Sequence, residues 1–599
     1  MKITKKIIYF LSGKDRKKGL LLLIMLMMMT IFDVIGVASI LPFMGVLTKP
    51  EIVETNQVLN YIYKFSGSLG VDTINQFLFL LGIIAFFLLI FSLFFKGLTK
   101  YFEAHYIQIC QFNVSKRIVG HYLHQPYSWF LNRNSSEIGK TVLSEVSMVI
   151  SRGLSSIMNL ISQSISIIMM LSLLIYVNPK LSITVGSIIS LLYLIIYKIN
   201  QSFLNRIGKE RLESNRLRFK SISEAFNASK AVKVGGLEEY FIKSFSKPSK
   251  RFALNNATLS AITLLPRFFL EAIAFGGTIV LILYLIKTSE TYLQILPTIA
   301  LYILVGYRLL PAVQNIYSCI SNLKYVEPTI KKLHEDVTSL KKINQNYFEK
   351  KCSFTNNIEL NNISFSYPNS DTLILKDISL IIPYQSIIGI VGSTGSGKTT
   401  LIDIILGLLK PNHGELKIDG KAIDEDNVKD WQNSIGYVPQ NIFLADDTVT
   451  ANIAFGIKDE NIDMKRIYES AKTANIHDFI INDLPLKYST VIGERGSRLS
   501  GGQCQRIGFA RALYHNPKLL ILDEATSSLD NLTEHKIIEA LHNMSKKITI
   551  IIVAHRLSTV KRSDNIFLLN KGKLMNKGTF DELIKDSKHF LNMYKIPTD

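Results

Sequence analysis

The sequence predicts a multidomain membrane protein, an all-α domain of six membrane-crossing helices fused to an α/β domain built on a phosphate-binding loop. Three observations predict it. Long apolar runs crowd the first 335 of 599 residues, in a chain with 48% hydrophobic and only 19% charged residues. Short β-branched runs alternate with helical patterns in the remainder. Between a strand pattern and a helix pattern lies the glycine-rich stretch GSTGSGKT at 392–399. A composition this apolar, with a mean hydropathy of +0.22, excludes a disordered chain, a coiled-coil rod and a disulfide scaffold. Cys110, Cys319, Cys352 and Cys504 form no CxxC pair or Cys/His cluster, so no zinc or redox motif is present. The net charge of +20 suits nucleic acid or an anionic membrane surface. The apolar first half selects the membrane, with no nucleic acid as partner.

A helix needs roughly 20 apolar residues to cross about 30 Å of hydrocarbon. Six runs meet or approach that length, at 20–47, 77–95, 157–177, 181–197, 259–286 and 292–310. The segment 2–18 is rich in lysine, and the stretches 96–152 and 198–251 are long and basic. The intervening loops are mixed (48–76) or very short (178–180 and 287–291). The positive-inside rule therefore places both termini and the two basic loops in the cytoplasm of a cell whose cytoplasmic, or inner, membrane the protein crosses. The N-terminal run is too long for a cleaved signal, and no small-residue cleavage site follows it. Residues 5–11 (KKIIYFL) predict a short helix lying on the membrane surface. These patterns place the membrane domain at 1–335, a polar linker at 336–355 and the second domain at 356–599.

In the second domain, buried runs at 387–391 (IIGIV), 519–522 (LLIL) and 548–553 (ITIIIV) alternate with helical patterns. That alternation predicts a mainly parallel sheet covered by helices. GSTGSGKT follows the first run and precedes the helical stretch 400–409, the context a phosphate-binding loop requires. Its glycines let the backbone approach an anion, and its amides point at that anion from a helix N-terminus. The candidate nucleotide cradle is therefore Gly392, Ser393, Thr394, Gly395, Ser396, Gly397, Lys398, Thr399 and Thr400. Lys398 is placed to reach the β- and γ-phosphates, and Thr399 to ligate Mg²⁺. The run LLILD ends in Asp523, followed by Glu524. A buried strand closing on a carboxylate puts it at the sheet edge beside the loop. Asp523 is the expected Mg²⁺ partner, and Glu524 is placed to polarise an attacking water.

LSGGQ at 499–503 makes the pattern specific, because the chain here resembles the ATP-binding-cassette (ABC) family. The resemblance rests on the whole set in order: Tyr367 in FSYP, the phosphate loop, Gln440 in GYVPQ, GERG at 493–496, LSGGQ, 528–530 and His555 in AHRLST. It implies that Tyr367 stacks on adenine and that Gln440 serves both Mg²⁺ and catalysis. His555 would act as the switch histidine. Ser500, Gly501, Gly502 and Gln503 would face the γ-phosphate bound to a second copy. One chain carries one such cassette, so the resemblance implies a homodimer enclosing two ATPs, with a heterodimer of close relatives as the alternative. Six spans before one cassette resemble the type IV exporter fold, in which two cytoplasmic helices transmit the cassette's closure. Residues 127–136 and 221–230 are the candidates for those helices, with the loop around Gln440 as the groove receiving them.

Lys96, Arg267 and Arg308 lie near the ends of three spans and are candidate substrate contacts. Arg267 is four residues from Glu271 in an apolar run, and Arg308 stands in VGYRLLPA. Cations facing an inner cavity suit an anionic, phosphorylated cargo; at a span end they are equally ordinary flanking charge. IGVASILPFMGVL (35–47), PRFFLEAIAF (266–275) and YRLLPAVQNIY (307–317) resemble the PglK-type family of bacterial lipid-linked oligosaccharide flippases. That resemblance implies a polyprenyl-diphosphate sugar as cargo, with Arg267 and Arg308 on its pyrophosphate. Lys96 stands where the family has an arginine, keeping the charge but losing the bidentate fork. Residues 51–67 resemble that family's external helix for the lipid tail. Two alternatives stay open, an exporter of another amphiphile and an ATP-gated channel or regulator. Degenerate catalytic residues would mark the latter, and none appears. Residues 2–18 leave no room for a peptidase domain.

Overall fold

The computed structural model describes residues 2–48, 50–68, 70–177, 179–288, 296–340, 352–368, 370, 372–525, 531–554 and 557–595. The chain divides into two units, Met1–Gln125 with Arg133–Ile343, and Pro126–Asn132 with Asn344–Asp599.

In the first unit the amphipathic segment forms α1 (Lys2–Tyr9). Ser12 then starts α2 (Gly13–Ala38) through a capping box: its hydroxyl accepts from the Asp15 amide while the Asp15 carboxylate accepts from its own. That reciprocal pair satisfies two otherwise orphaned donors. After a one-residue break the apolar run continues as α3 (Ile40–Thr48), and a short helix α4 (Gln57–Gly67) follows. Thr73 and Gln76 form the same box at the start of α5 (Ile74–Leu123). The 23-residue α7 (Ser155–Val177) is entered through π-helical turns, after the short helix α6 (Tyr127–Leu131) of the second unit. The unit closes with α8 (Pro179–Asn227), α9 (Ser229–Gly235), α10 (Glu238–Thr288) and α11 (Leu296–Thr338). The described residues of all six apolar runs fall on helices apart from Ser39, and 292–295 of the sixth lie outside the described residues. By length and composition, Gly13–Thr48, Ile74–Leu123 and Ser135–Tyr176 qualify as membrane spans among the described residues.

The two basic stretches expected as loops are largely helix. α5 runs 28 residues beyond residue 95, and α8 and α10 extend far past their apolar segments. Charge spacing explains this: Arg206–Glu210 and Lys220–Glu224 pair at i,i+4, which supports helix outside a bilayer. The short helix expected within 127–136 is α6. The one expected at 221–230 is displaced, because 221–227 end α8 and the short helix is α9, closed by Gly236 at φ +61°. α8 packs on α10 and α11, α7 on α11 and α2, and α2 on α5. α8 and α11 approach closely at Gly208, where a Cβ would lie 2.2 Å from the Tyr325 carbonyl oxygen. A glycine there lets the two backbones approach where any side chain would clash.

Of the stretch read as linker, 336–338 end α11, 341–351 lie outside the described residues, and Phe354 is buried in the second unit. That unit holds two sheets. β1 (Asn357–Phe365), β2 (Leu375–Pro383), β4 (His413–Ile418) and β5 (Lys421–Ala422) form an antiparallel sheet in the order β2-β1-β4-β5. β3 (Ile387–Gly392), β6 (Ile435–Val438), β7 (Leu519–Asp523), β8 (Thr549–Val553), β9 (Asn565–Asn570) and β10 (Lys573–Gly578) form the second, in the order β10-β9-β3-β8-β7-β6. All its pairings are parallel except β9 with β10. The three predicted buried runs are β3, β7 and β8, with every residue buried, as a sheet covered on both faces requires. One face packs against the helices between residues 449 and 514, the other against α12 (Lys398–Ile405) and the antiparallel sheet. Trp431 is fully buried in the latter core, and its indole N–H donates to the Ile405 carbonyl at 2.7 Å.

Candidate functional site

The second unit brings its motif residues together through strand register. Val553 of β8 stands opposite both Ile390 of β3 and Asp523 of β7. Asp523 therefore lies two strands, roughly 10 Å, from the start of the phosphate loop. Val438 of β6 pairs with Leu522, so two residues further each chain delivers Gln440 opposite Glu524. The Gln440 amide donates to the Glu524 carboxylate at 2.6 Å. Glu524 leaves β7 at φ +50°, a left-handed conformation that costs a non-glycine residue about 1–3 kcal/mol and concentrates at functional sites. Its amide donates to the Val553 carbonyl at 3.0 Å, which holds the turn.

The loop itself runs from β3 into α12. Gly397 adopts φ +99°, and a Cβ there would come within 2.7 Å of Leu375. Lys398 is buried and donates to the Gly392 and Ser393 carbonyls at 2.8 and 3.2 Å. Burial lowers its pKa, while Glu524 and Asp523 act in the opposite direction. Ser396 places a buried hydroxyl in the loop that no protein group pairs. Ser393, Thr394, Gly395 and Thr399 are exposed, and Thr400 is buried. The Thr400 and Tyr367 hydroxyls pair at 3.1 Å, and Tyr367 packs edge-on to Phe365 with centroids 5.2 Å apart. An aromatic face is thus fixed beside the loop. A glycine cradle, an orphaned buried hydroxyl, a buried ammonium and two carboxylates at the sheet edge fit a Mg²⁺–nucleotide.

Sequence reasoning missed three residues here. Asp403, one turn into α12, is pushed up to about 6 by burial and then by Asp523. The Tyr437 hydroxyl donates to Asp523 at 3.4 Å, and burial with that carboxylate raises its pKa. Tyr127 of α6 is likewise raised, by burial and then by Asp403 and Tyr367. Tyr437 stands inside the quoted GYVPQ and Asp403 inside the helical run 400–409; each is a polar residue among apolar neighbours, which was the available signal. His555 and 528–530 lie outside the described residues.

Ser500 is the N-cap of α13 (Gly501–Tyr514). Its hydroxyl accepts from the Gln503 amide at 3.3 Å, while the Gln503 side-chain oxygen accepts from the Ser500 amide at 2.8 Å. Both bonds use acceptor oxygens. The Ser500 O–H and the Gln503 side-chain N–H₂ remain donors, and the helix start presents the Gly501 and Gly502 amides. Such an end can bind an anion.

The first unit holds a cavity of about 840 Å³ whose wall includes Lys96, Arg267 and Arg308. The wall also carries Lys100, Arg152 and Asp33, which sequence reasoning passed over. Asp33 breaks the apolar first run (IFDVIG), and that interruption was the signal. Asp33 of α2 pairs with Arg308 of α11 and lies 3.9 Å from the Lys96 ammonium of α5. The Ser92 hydroxyl donates to it at 3.3 Å. Arg267 pairs with Glu271 at 2.7 Å, and Lys100 with Glu103 at 2.6 Å. Near a span end such charges cost less than the roughly 2.5–3.5 kcal/mol of the bilayer centre, and these pairings offset what cost there is. Pro266 and Pro311 interrupt the backbone ladder of α10 and α11 beside Arg267 and Arg308. Among the described residues the wall carries five cations and one carboxylate, and with Glu271 and Glu103 counted beside them positive charge is still in excess, so the chamber attracts anions.

A family model described as ABC transporter matches residues 375–527, and one described as ABC transporter transmembrane region matches 20–306. The chain is 30% identical over 507 residues to a protein of Saccharophagus degradans named ATP-dependent lipid A-core flippase, covering 83% of this chain and 84% of that one. A protein of Cupriavidus pinatubonensis with the same name is 28% identical over 487 residues, covering 79% and 80%. Among solved structures, a bacterial Atm1-family ABC exporter with ATP bound superposes with a TM-score of 0.78 at 20% identity, covering 97% of this chain and 98% of that one.

Proposed function

Because the chain belongs to the ABC transporters, and so couples ATP hydrolysis to transport across a membrane, we propose that it is a homodimeric flippase of a lipid-linked oligosaccharide. Its cargo is a polyprenyl-diphosphate sugar, moved across the cytoplasmic membrane with the cassette and both termini in the cytoplasm. The observation that carries this reading is the cavity wall, where Lys96, Arg267 and Arg308 stand together with two further cations. A diphosphate offers such a wall several charge-assisted hydrogen bonds, and arginine takes them as a fork. The PglK-type flippase resemblance adds the sugar and the polyprenyl tail.

In the cassette, Lys398 and the loop amides hold the ATP phosphates, and Tyr367 holds adenine. Thr399, Gln440 and Asp523 would hold Mg²⁺, which when bound neutralises charge on the phosphate oxygens. Glu524 orients and polarises the attacking water, positioned by Gln440, and His555 completes the γ-phosphate contacts. Ser500, Gly501, Gly502 and Gln503 face the nucleotide of the second copy. Lys398→Ala is expected to weaken nucleotide binding at least about tenfold, since a hydrogen bond to a charged group contributes about 1.5–3 kcal/mol. Titration with a fluorescent ATP analogue reads this directly, and unchanged affinity would contradict the assignment.

The function is tested by reconstituting the protein in liposomes and following ATP-dependent translocation of a polyprenyl-diphosphate oligosaccharide beside a lipid A-type lipid. Translocation of the first alone, or much faster than the second, is expected. A second reading, transport of a lipid A-core glycolipid, is favoured by the names of the relatives in Saccharophagus and Cupriavidus. Preference for that lipid in the same assay would establish it instead.

A further inference from the structure

Among the described residues Asp33 is the carboxylate on a wall of cations. Three elements converge on it: α11 brings Arg308, α5 brings Lys96 and Ser92, and α2 brings Asp33 itself. Arg267 and Lys100 have acidic neighbours of their own on the same helices, Glu271 and Glu103. Arg308 and Lys96 have none and share Asp33, two positive charges against one negative.

We propose that Asp33 is a built-in counter-ion, a specificity-determining carboxylate that stands in for a phosphate between Arg308 and Lys96 and is exchanged for the substrate's phosphate on loading. The proposal rests on the cavity being the site of a phosphorylated headgroup. A carboxylate and a phosphate present equivalent acceptor oxygens to a guanidinium fork. Exchanging one for the other keeps both cations paired at each stage, and the displaced Asp33 keeps the Ser92 hydroxyl as its donor. Exchange also selects cargo. A neutral headgroup cannot displace a carboxylate, and a monoanion gains nothing by doing so. A diphosphate carries more charge than Asp33 and meets a pair with one positive charge in excess. The return of Asp33 to Arg308 then favours release of the headgroup on the far side.

The test is binding of farnesyl diphosphate, with farnesol as the uncharged control, to the full-length protein in nanodiscs with its nucleotide sites saturated by ADP. Removing the competing carboxylate in Asp33→Asn is expected to tighten farnesyl diphosphate binding about tenfold and leave farnesol unchanged. Asp33→Glu, which keeps the charge, is expected to stay near wild type. A merely structural ion pair predicts the reverse, a looser site in Asp33→Asn, so unchanged or weaker binding overturns the proposal. If Asp33→Asn does not fold, Ser92→Ala removes the hydroxyl holding the carboxylate and is expected to tighten binding by a smaller factor. Unchanged or weaker binding in that variant overturns the proposal equally. The cargo reading fails separately: wild type that translocates only lipid A-type lipids removes it, while tightened farnesyl diphosphate binding in Asp33→Asn leaves the counter-ion standing.

Discussion

Glu524→Gln is expected to bind ATP normally and to lose steady-state hydrolysis by about 10²–10⁴-fold, the range a positioned general base contributes. The substitution keeps shape and hydrogen-bonding reach but removes the charge that polarises water. The strand register that puts Glu524 opposite Gln440 does not depend on that charge, and neither does the phosphate loop. ATP affinity and thermal stability should therefore stay near wild type. In a two-copy arrangement the variant should accumulate as a nucleotide-locked dimer, visible by size-exclusion chromatography with ATP and Mg²⁺. Wild-type turnover in this variant would remove Glu524 from the chemistry. A strictly monomeric variant in ATP would remove the second copy from the site.

The cassette was the more legible half, for a physical reason. Phosphate chemistry demands backbone conformations that few sequences supply, so GSTGSGKT between a buried strand and a helix has few other readings. The three fully buried strands were legible because a covered parallel sheet admits only apolar runs. The antiparallel sheet was not read, although β1 alternates buried and less buried residues along most of NIELNNISF; its strands mix polar with apolar residues and so lack the continuous apolar runs of β3, β7 and β8. In the membrane half, apolar length alone located the six helices. Their basic extensions looked like loops, because a helix outside the bilayer is held by charge pairs such as Arg206–Glu210 and shows no apolar run. Asp33 escaped for a different reason. Its meaning comes from Lys96, about sixty residues away, and from Arg308 on α11, and only the packing of α2, α5 and α11 brings the three together.

Arg267→Ala combined with Arg308→Ala is expected to abolish translocation of a phosphorylated amphiphile and the stimulation of ATP hydrolysis by it. Losing one partner of a desolvated charge pair costs about 2–5 kcal/mol. Arg308 is mostly buried while Arg267 is exposed, so the loss at Arg308 should dominate and weaken headgroup binding by at least about thirtyfold. The cassette residues that hold ATP belong to the other unit, so nucleotide binding is the control for an intact fold. One complication has a defined sign. Removing Arg308 leaves the buried Asp33 with Lys96 alone at 3.9 Å, and an under-compensated carboxylate could unfold the helix bundle by itself. Adding Asp33→Asn to the double variant removes that burden, so a folding defect would be rescued while lost translocation would not. Arg267→Lys with Arg308→Lys supplies the complementary measurement: charge is kept and the fork is lost, so weak translocation should survive with a raised half-saturating concentration. Full translocation by the alanine pair would return both arginines to ordinary charges at the ends of their spans.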